Sequence, residues 1–172
     1  MRRFVNPGNT AFEVAVNSQI YVDKTGLLAY TNSVINTKQA LICSSRPRRF
    51  GKSITADMLC AYYSRGCDSD SIFASYEIAK SDSYKKYLNQ YDVIYLDIQW
   101  CMMDAGSAEQ TVSYLNYHVI EELKEIYPQI LLDGIRTAYG AMSCINAQTG
   151  VKFIVIIDEW DVLIRDEAAN EA

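Results

Sequence analysis

The sequence has little of several residue types that mark common classes of protein. Histidine occurs once, and the five cysteines include no C-x-x-C pair, so neither a Cys/His zinc cluster nor a redox motif is expected. No apolar run approaches the roughly 20 residues that a membrane-spanning helix needs. The two arginines after Met1 precede no apolar stretch, so a signal peptide is not expected either. We therefore expect a cytoplasmic protein with no membrane partner.

An excess of positive charge is also missing. The net charge is −5 and the isoelectric point is near 4.9. These values argue against broad, sequence-independent binding of nucleic acid, which depends on a basic surface. What remains is a globular composition, and 172 residues suffice for one domain with a sizeable core.

Short apolar runs alternate with helical patterns along the chain. The apolar runs predict buried strands in residues 40–43 (ALIC), 91–99 (YDVIYLDIQ) and 153–158 (FIVIID). Apolar residues at helical spacing predict helices after the YVDKT segment, in 53–64, in 107–127 and in about 129–147, with one or two short helices in 68–90. This alternation is typical of an α/β fold with a parallel sheet, in which ligands bind at the carboxyl ends of the strands.

The segment SRPRRFGKS (45–53) ends like the phosphate-binding loop G-x-x-x-x-G-K-[ST], but Arg46 holds the position of the first glycine. In such a loop Gly51 permits close approach of the backbone, Lys52 reaches the β- and γ-phosphates, and the Ser53 hydroxyl binds Mg²⁺. Two alternatives are a solvated basic turn and a nucleic-acid contact through the arginines. The predicted nucleotide-binding residues are Arg46, Pro47, Arg48, Arg49, Phe50, Gly51, Lys52, Ser53 and Ile54.

Two adjacent carboxylates end the last apolar run. Asp158 lies where a strand-end aspartate holds Mg²⁺ beside a phosphate loop. Glu159, next to it, is placed to polarise the attacking water as a general base. Asp97 ends another apolar run and is the competing metal carboxylate, but no second acid follows it. The alternative is a polar strand end that faces solvent.

Three segments together resemble the AAA-ATPase-like family of bacterial proteins: YVDKTGLL, SRPRRFGKS and IVIIDEWD. Trp160 stands where the family often has tyrosine. The resemblance implies a P-loop NTPase, a three-layer α/β sandwich with a mainly parallel central sheet, and Walker A and Walker B motifs that bind ATP and Mg²⁺. Asp23, Lys24 and Thr25 match the family's N-terminal motif, and they either frame the base of the nucleotide or cap the first helix.

The resemblance also implies what lies outside the sequence. Family members often continue into a C-terminal PD-(D/E)XK nuclease-like module, so we expect residues 1–172 to be the N-terminal part of the domain, ending before the sensor region and the last strands. In the longer protein, ATP hydrolysis would drive or regulate that module or another partner. The alternative is a regulatory module that responds to nucleotide without turnover. A sheet that lacks its outer strands would leave an open edge, which favours self-association.

Overall fold

The structure is a computed structural model that describes residues 3–45 and 50–165. Its backbone contacts divide it into two compact units. We call the described residues between 8 and 91 the 8–91 unit, and residues 3–7 with 92–165 the 92–165 unit. None of the helices formed by the described residues is both long and apolar enough to cross a membrane.

The 8–91 unit is helical. Its helices are α1 (Thr10–Val16), α2 (Gly26–Val34), α3 (Lys52–Tyr63), α4 (Asp70–Phe73) and α5 (Tyr84–Tyr87), with 3₁₀ turns at Lys38–Ala40 and Glu77–Lys80. The predicted helices after the YVDKT segment, after the loop and in residues 68–90 are therefore confirmed.

Tyrosines of α3 form the centre of this unit. Tyr62 and Tyr63 are fully buried. The Tyr63 hydroxyl donates to Asn32 Oδ1 at 2.7 Å, and Asn32 Nδ2 donates to the Tyr62 hydroxyl at 3.0 Å. Buried polar groups need such partners, so these bonds fix α3 against α2. At the other end of α3, Ile54 is 42% exposed.

The predicted strand in residues 40–43 is wrong. A 3₁₀ turn occupies Lys38–Ala40, and residues 41–45 form no regular element. Leu41 is 96% exposed and Ile42 is 47% exposed. A strand needs a neighbour for its hydrogen-bond ladder, and the pairing recorded among the described residues of the 8–91 unit is a single bridge between Ser64 and Tyr91.

The 92–165 unit contains the sheet. Its elements are β1 (Asp92–Asp97), α6 (Ile98–Ala105), α7 (Ala108–Ile126), α8 (Ala138–Thr149) and β2 (Phe153–Asp158). The two strands are parallel, with Asp92 opposite Phe153 and Asp97 opposite Asp158. Helix and parallel sheet together confirm the α/β class. The sheet has two strands among the described residues, and the three-layer P-loop sandwich stays a prediction.

Helices α7 and α8 cover the core of this unit. Val119 and Leu123 of α7 and Ile145 of α8 are fully buried in a cluster with Ile94 of β1. Helix α7 has the predicted position. The predicted helix at 129–147 begins only at Ala138, because the preceding residue, Thr137, supplies the cap: its hydroxyl accepts the Gly140 N–H at 3.1 Å.

The N-terminal residues cover one edge of β1. The Asn6 N–H donates to the Val93 carbonyl at 2.7 Å, and the Tyr95 N–H donates to the Phe4 carbonyl at 2.8 Å. On β2, no strand of the described residues pairs with the side away from β1. Self-association through that edge stays a prediction, as does a nuclease-like module in the same protein.

A buried carboxylate connects β1 to α7. Asp92 is 1% exposed, its Oδ1 accepts from Asn6 Nδ2 at 2.6 Å, and its Oδ2 accepts from the Tyr127 hydroxyl. Removing one donor from a buried carboxylate costs about 1–3 kcal/mol. We expect Tyr127→Phe to lower the free energy of unfolding by that amount in urea titrations. Tyr139→Phe, at a residue 78% exposed, is the control, and an equal loss in both variants would contradict the prediction.

Candidate functional site

Helix α3 begins immediately after the loop, at the residues predicted to hold phosphate. Gly51 is the N-cap residue and adopts φ +75° and ψ +35°, in the left-handed region that glycine enters without strain. It has no side chain with which to cap the helix. The first N–H groups of an α-helix have no partner within the helix, and together with the helix dipole they favour an anion.

The side chains of this first turn differ in exposure. Lys52 is half-buried, whereas Ser53 and Ile54 are exposed. Thr55 closes the turn, since its N–H donates to the Gly51 carbonyl at 3.0 Å and its hydroxyl donates to the same oxygen at 2.9 Å. The backbone of Gly51 is therefore fixed at the start of the helix.

The structure describes only part of the rest of the predicted loop. Phe50 is described and is 56% exposed. Arg46, Pro47, Arg48 and Arg49 lie outside the described residues. Their roles in nucleotide binding, and the alternative of a nucleic-acid contact through the arginines, stay predictions.

The YVDKT segment contacts the end of the loop. Lys24 Nζ donates to the Phe50 carbonyl at 2.8 Å. Thr25 occupies the N-cap position of α2, but its side chain makes no capping hydrogen bond; its hydroxyl oxygen instead accepts the Ile78 N–H at 3.1 Å. The capping role considered for this segment is therefore wrong for Thr25, and the contact between Lys24 and the loop was not predicted.

In the 92–165 unit, the parallel register brings two carboxylates to the same end of the sheet. Asp158 is 7% exposed. Its Oδ1 accepts the Glu159 N–H at 3.0 Å, while its buried Oδ2 has no hydrogen-bond partner among the residues that the structure describes. A buried carboxylate oxygen without a partner is costly. Because Asp158 is only 7% exposed, its own side chain does not simply face solvent.

Asp97 accepts a hydrogen bond that caps a helix, and it also lies close enough to other carboxylates to be affected by their charge. Its Oδ1 accepts the Trp100 N–H at 3.0 Å and caps α6. Burial is the main cause that raises the pKa of Asp97, and the negative charges of Asp158 and Glu159 raise it further. The two strand ends thus place acidic groups close enough to repel one another, which favours a cation beside them.

Glu159 has an unusual backbone conformation. Its φ is +51°, in the left-handed region that non-glycine residues rarely occupy. Its Oε2 lies 3.4 Å from Arg165 Nη2, and Arg165 Nε lies 3.1 Å from Asp161 Oδ2. Such strain is typical of functional sites. No sequence motif predicted Arg165 as the partner of this carboxylate.

The acidic strand ends are suited to Mg²⁺ but do not enclose it. Mg²⁺ is usually bound by one or two carboxylates, with water and substrate phosphates completing its coordination. The unpartnered Oδ2 of Asp158 fits that role. Among residues 3–45 and 50–165, no group of three or more His, Cys, Asp or Glu side chains is arranged to hold a metal ion. A closed metal cage formed by these side chains alone is thus not present in that part of the chain.

A cavity of about 460 Å³ lies beside Asp97, and its lining includes Phe4 and Trp100. Arg3 and Asp104 also line it and form an ion pair with each other. Its volume is within the range of pockets for small organic ligands. The sequence did not predict it, because the N-terminal residues and α6 are distant along the chain.

Comparison with known proteins agrees with the motifs. A family model described as "Predicted AAA-ATPase" matches residues 8–172, which is nearly the whole chain. The chain therefore belongs to the AAA-ATPase-like family, and membership implies nucleotide binding. No curated protein and no solved structure matches it.

The structure divides the predicted site residues between the two units. Gly51, Lys52, Ser53 and Ile54 lie together in the 8–91 unit, at the start of α3. Asp158 and Glu159 lie in the 92–165 unit, at the end of β2.

Proposed function

We propose that the protein is a P-loop ATPase domain that binds ATP with Mg²⁺ and hydrolyses it. The observation that carries the proposal is the start of α3, where Gly51 adopts a left-handed conformation directly before Lys52 and Ser53. If the Gly-Lys-Ser tripeptide occurred by chance, we would not expect it at the start of a 12-residue helix with its glycine in the left-handed conformation. Family membership supports the same conclusion.

The phosphates are the proposed ligand of the α3 start. Backbone N–H groups of the first turn donate to phosphate oxygens, and the helix dipole favours their negative charge. The Lys52 ammonium reaches the β- and γ-phosphates. Arg46, Arg48 and Arg49 are proposed to add positive charge near the phosphates.

Mg²⁺ is the proposed partner of Asp158 and Ser53. When bound, the ion neutralises charge that develops on the phosphates during transfer. Asp158 offers its buried Oδ2 to the ion, directly or through water, and Ser53 offers its hydroxyl.

Glu159 is the proposed general base. Its carboxylate accepts a proton from the attacking water, and its position directly after Asp158 places it beside the ion's carboxylate. In the longer protein that we propose, hydrolysis drives or regulates an attached nuclease-like module or another partner.

Titration calorimetry with ATP and Mg²⁺ tests the proposal. We expect Lys52→Ala to weaken ATP binding about 10- to 100-fold, the amount that charge-assisted hydrogen bonds contribute. Lys86→Ala is the matched control, because it removes the same charge from an exposed residue of the same unit. Equal affinity in wild type and Lys52→Ala, or no binding by wild type with Mg²⁺ present, would contradict the proposal.

A further inference from the structure

We propose that Lys24 is a positioning residue of the phosphate loop and that the Asp-Lys-Thr segment is the support that holds it. The inference rests on the proposed function and adds a residue from outside the loop. Lys24 Nζ donates to the carbonyl of Phe50, 26 residues away, at 2.8 Å. This carbonyl directly precedes Gly51, so the bond joins the segment to the residue at which α3 begins.

Asp23 and Thr25 anchor the segment on the 3₁₀ turn at Glu77–Lys80. Asp23 Oδ2 accepts the Glu77 N–H at 2.9 Å, and Asp23 Oδ1 accepts the Thr25 N–H at 2.7 Å. Thr25 is fully buried, and its hydroxyl oxygen accepts the Ile78 N–H at 3.1 Å. Lys24 therefore extends from a backbone that is fixed on both sides.

The pKa of Asp23 agrees with this anchor. Burial, the largest single influence, raises the pKa, but the N–H donors of Glu77 and Thr25, the Thr25 side chain and the charge of Lys80 together outweigh it, and the net pKa is lowered. Asp23, Lys24 and Thr25 thus each make a separate contact.

At the end of the loop, Lys24 also lies beside Gly51, the residue that must remain glycine. A Cβ added at Gly51 would lie 2.9 Å from Lys24 Nζ, and φ of +75° already disfavours other residues there. The ammonium lies against the negative end of the Phe50 carbonyl dipole. This contact fixes the backbone before the first turn of α3 and reduces the repulsion between that carbonyl and a bound phosphate.

Lys24→Met tests the role, because methionine is an unbranched side chain only one atom shorter than lysine and removes the charge and the donor. Without nucleotide, we expect amide hydrogen exchange at Thr55, whose N–H donates to the Gly51 carbonyl, to become about tenfold faster, with no change in α1 or α5. With nucleotide, we expect affinity for ADP to fall about tenfold and affinity for adenosine, which has no phosphate, to stay the same.

Lys86→Met is the matched control, since it removes the same charge from the same unit away from Phe50. Equal exchange rates at Thr55 in both variants, or an unchanged ratio of ADP to adenosine affinity in Lys24→Met, would overturn the proposal. Faster exchange throughout the 8–91 unit would also overturn it, because Lys24 would then stabilise the unit in general. If wild type binds no nucleotide, the proposed function fails, and the exchange measurement still tests Lys24.

Discussion

Replacing Glu159 with glutamine is expected to lower the turnover of ATP about 100- to 10,000-fold, the contribution of a positioned general base, and to leave ATP binding unchanged. Glutamine keeps the size of the side chain and an acceptor oxygen but cannot take a proton from water at neutral pH. The backbone at Glu159 stays in its left-handed conformation, because the substitution alters only the end of the side chain.

The ion pair with Arg165 does not obscure the result. It joins partly exposed side chains at 3.4 Å, and such pairs contribute little to stability. We therefore expect Glu159→Gln to unfold at the temperature of the wild type. Phosphate release under multiple turnover and calorimetric affinity for ATP are the two measurements.

Glu125→Gln is the matched control, since Glu125 is an exposed carboxylate of α7 in the same unit. Normal phosphate release by Glu159→Gln would remove Glu159 from the proposed role. A wild type that binds ATP and releases no phosphate would instead support the alternative of a nucleotide-responsive regulatory module.

Much of the fold could be predicted where one signal acts over many residues. Helix α7 combines a long apolar stripe with Ser107, which caps its first turn, and Pro128, which follows its end. Strands β1 and β2 are apolar runs that end in aspartate, and both form. The prediction extended β1 to residue 99, whereas β1 ends at Asp97 and the unpredicted helix α6 begins at Ile98. In each case the local pattern and the tertiary packing favour the same structure.

The prediction failed where the outcome depends on a distant partner. The apolar run at residues 40–43 has the composition of β1, yet composition does not supply a neighbouring strand. Thr137 could have located the start of α8, since threonine is a favoured N-cap residue. No local pattern could have shown the bond between Lys24 and Phe50, because it joins residues 26 positions apart.

The sequence predicts the chemistry of the candidate site but not its local geometry. Gly51 and the strand-end acids follow from a motif and from where parallel strands end. The register that places Asp97 opposite Asp158 is a property of the paired strands. The left-handed conformation of Glu159 depends on the turn after β2. Neither the strand register nor this conformation has a signature in the sequence.

Replacing Asp158 with asparagine is expected to raise the free energy of unfolding without ligand and to reduce the further stabilisation that ligand provides. Without ligand, the variant should be more stable by about 1–2 kcal/mol, because a buried carboxylate oxygen lacks a partner and faces other acids. With ATP and Mg²⁺ at about 100 times the dissociation constant, binding should stabilise wild type by about 2.7 kcal/mol. The variant should lose most of this gain, since a neutral amide is a poor ligand for Mg²⁺.

Urea unfolding of both proteins, with and without Mg²⁺ and ATP, measures both effects on the free energy of unfolding. Asp133→Asn, at an exposed carboxylate of the same unit, is the control and should change neither value. Lower stability of Asp158→Asn without ligand would contradict the electrostatic argument. An undiminished gain from ATP and Mg²⁺ would contradict the role of Asp158 in binding the ion.

Asp97→Asn decides which strand-end carboxylate binds the ion. Asparagine caps a helix as well as aspartate does, so α6 should keep its N-cap. Because this substitution also removes the repulsion between the strand ends, it too should stabilise the protein without ligand. If Asp158 is the metal carboxylate, Asp97→Asn keeps the gain in stability from ATP and Mg²⁺. If Asp97→Asn loses that gain and Asp158→Asn keeps it, the two roles are exchanged.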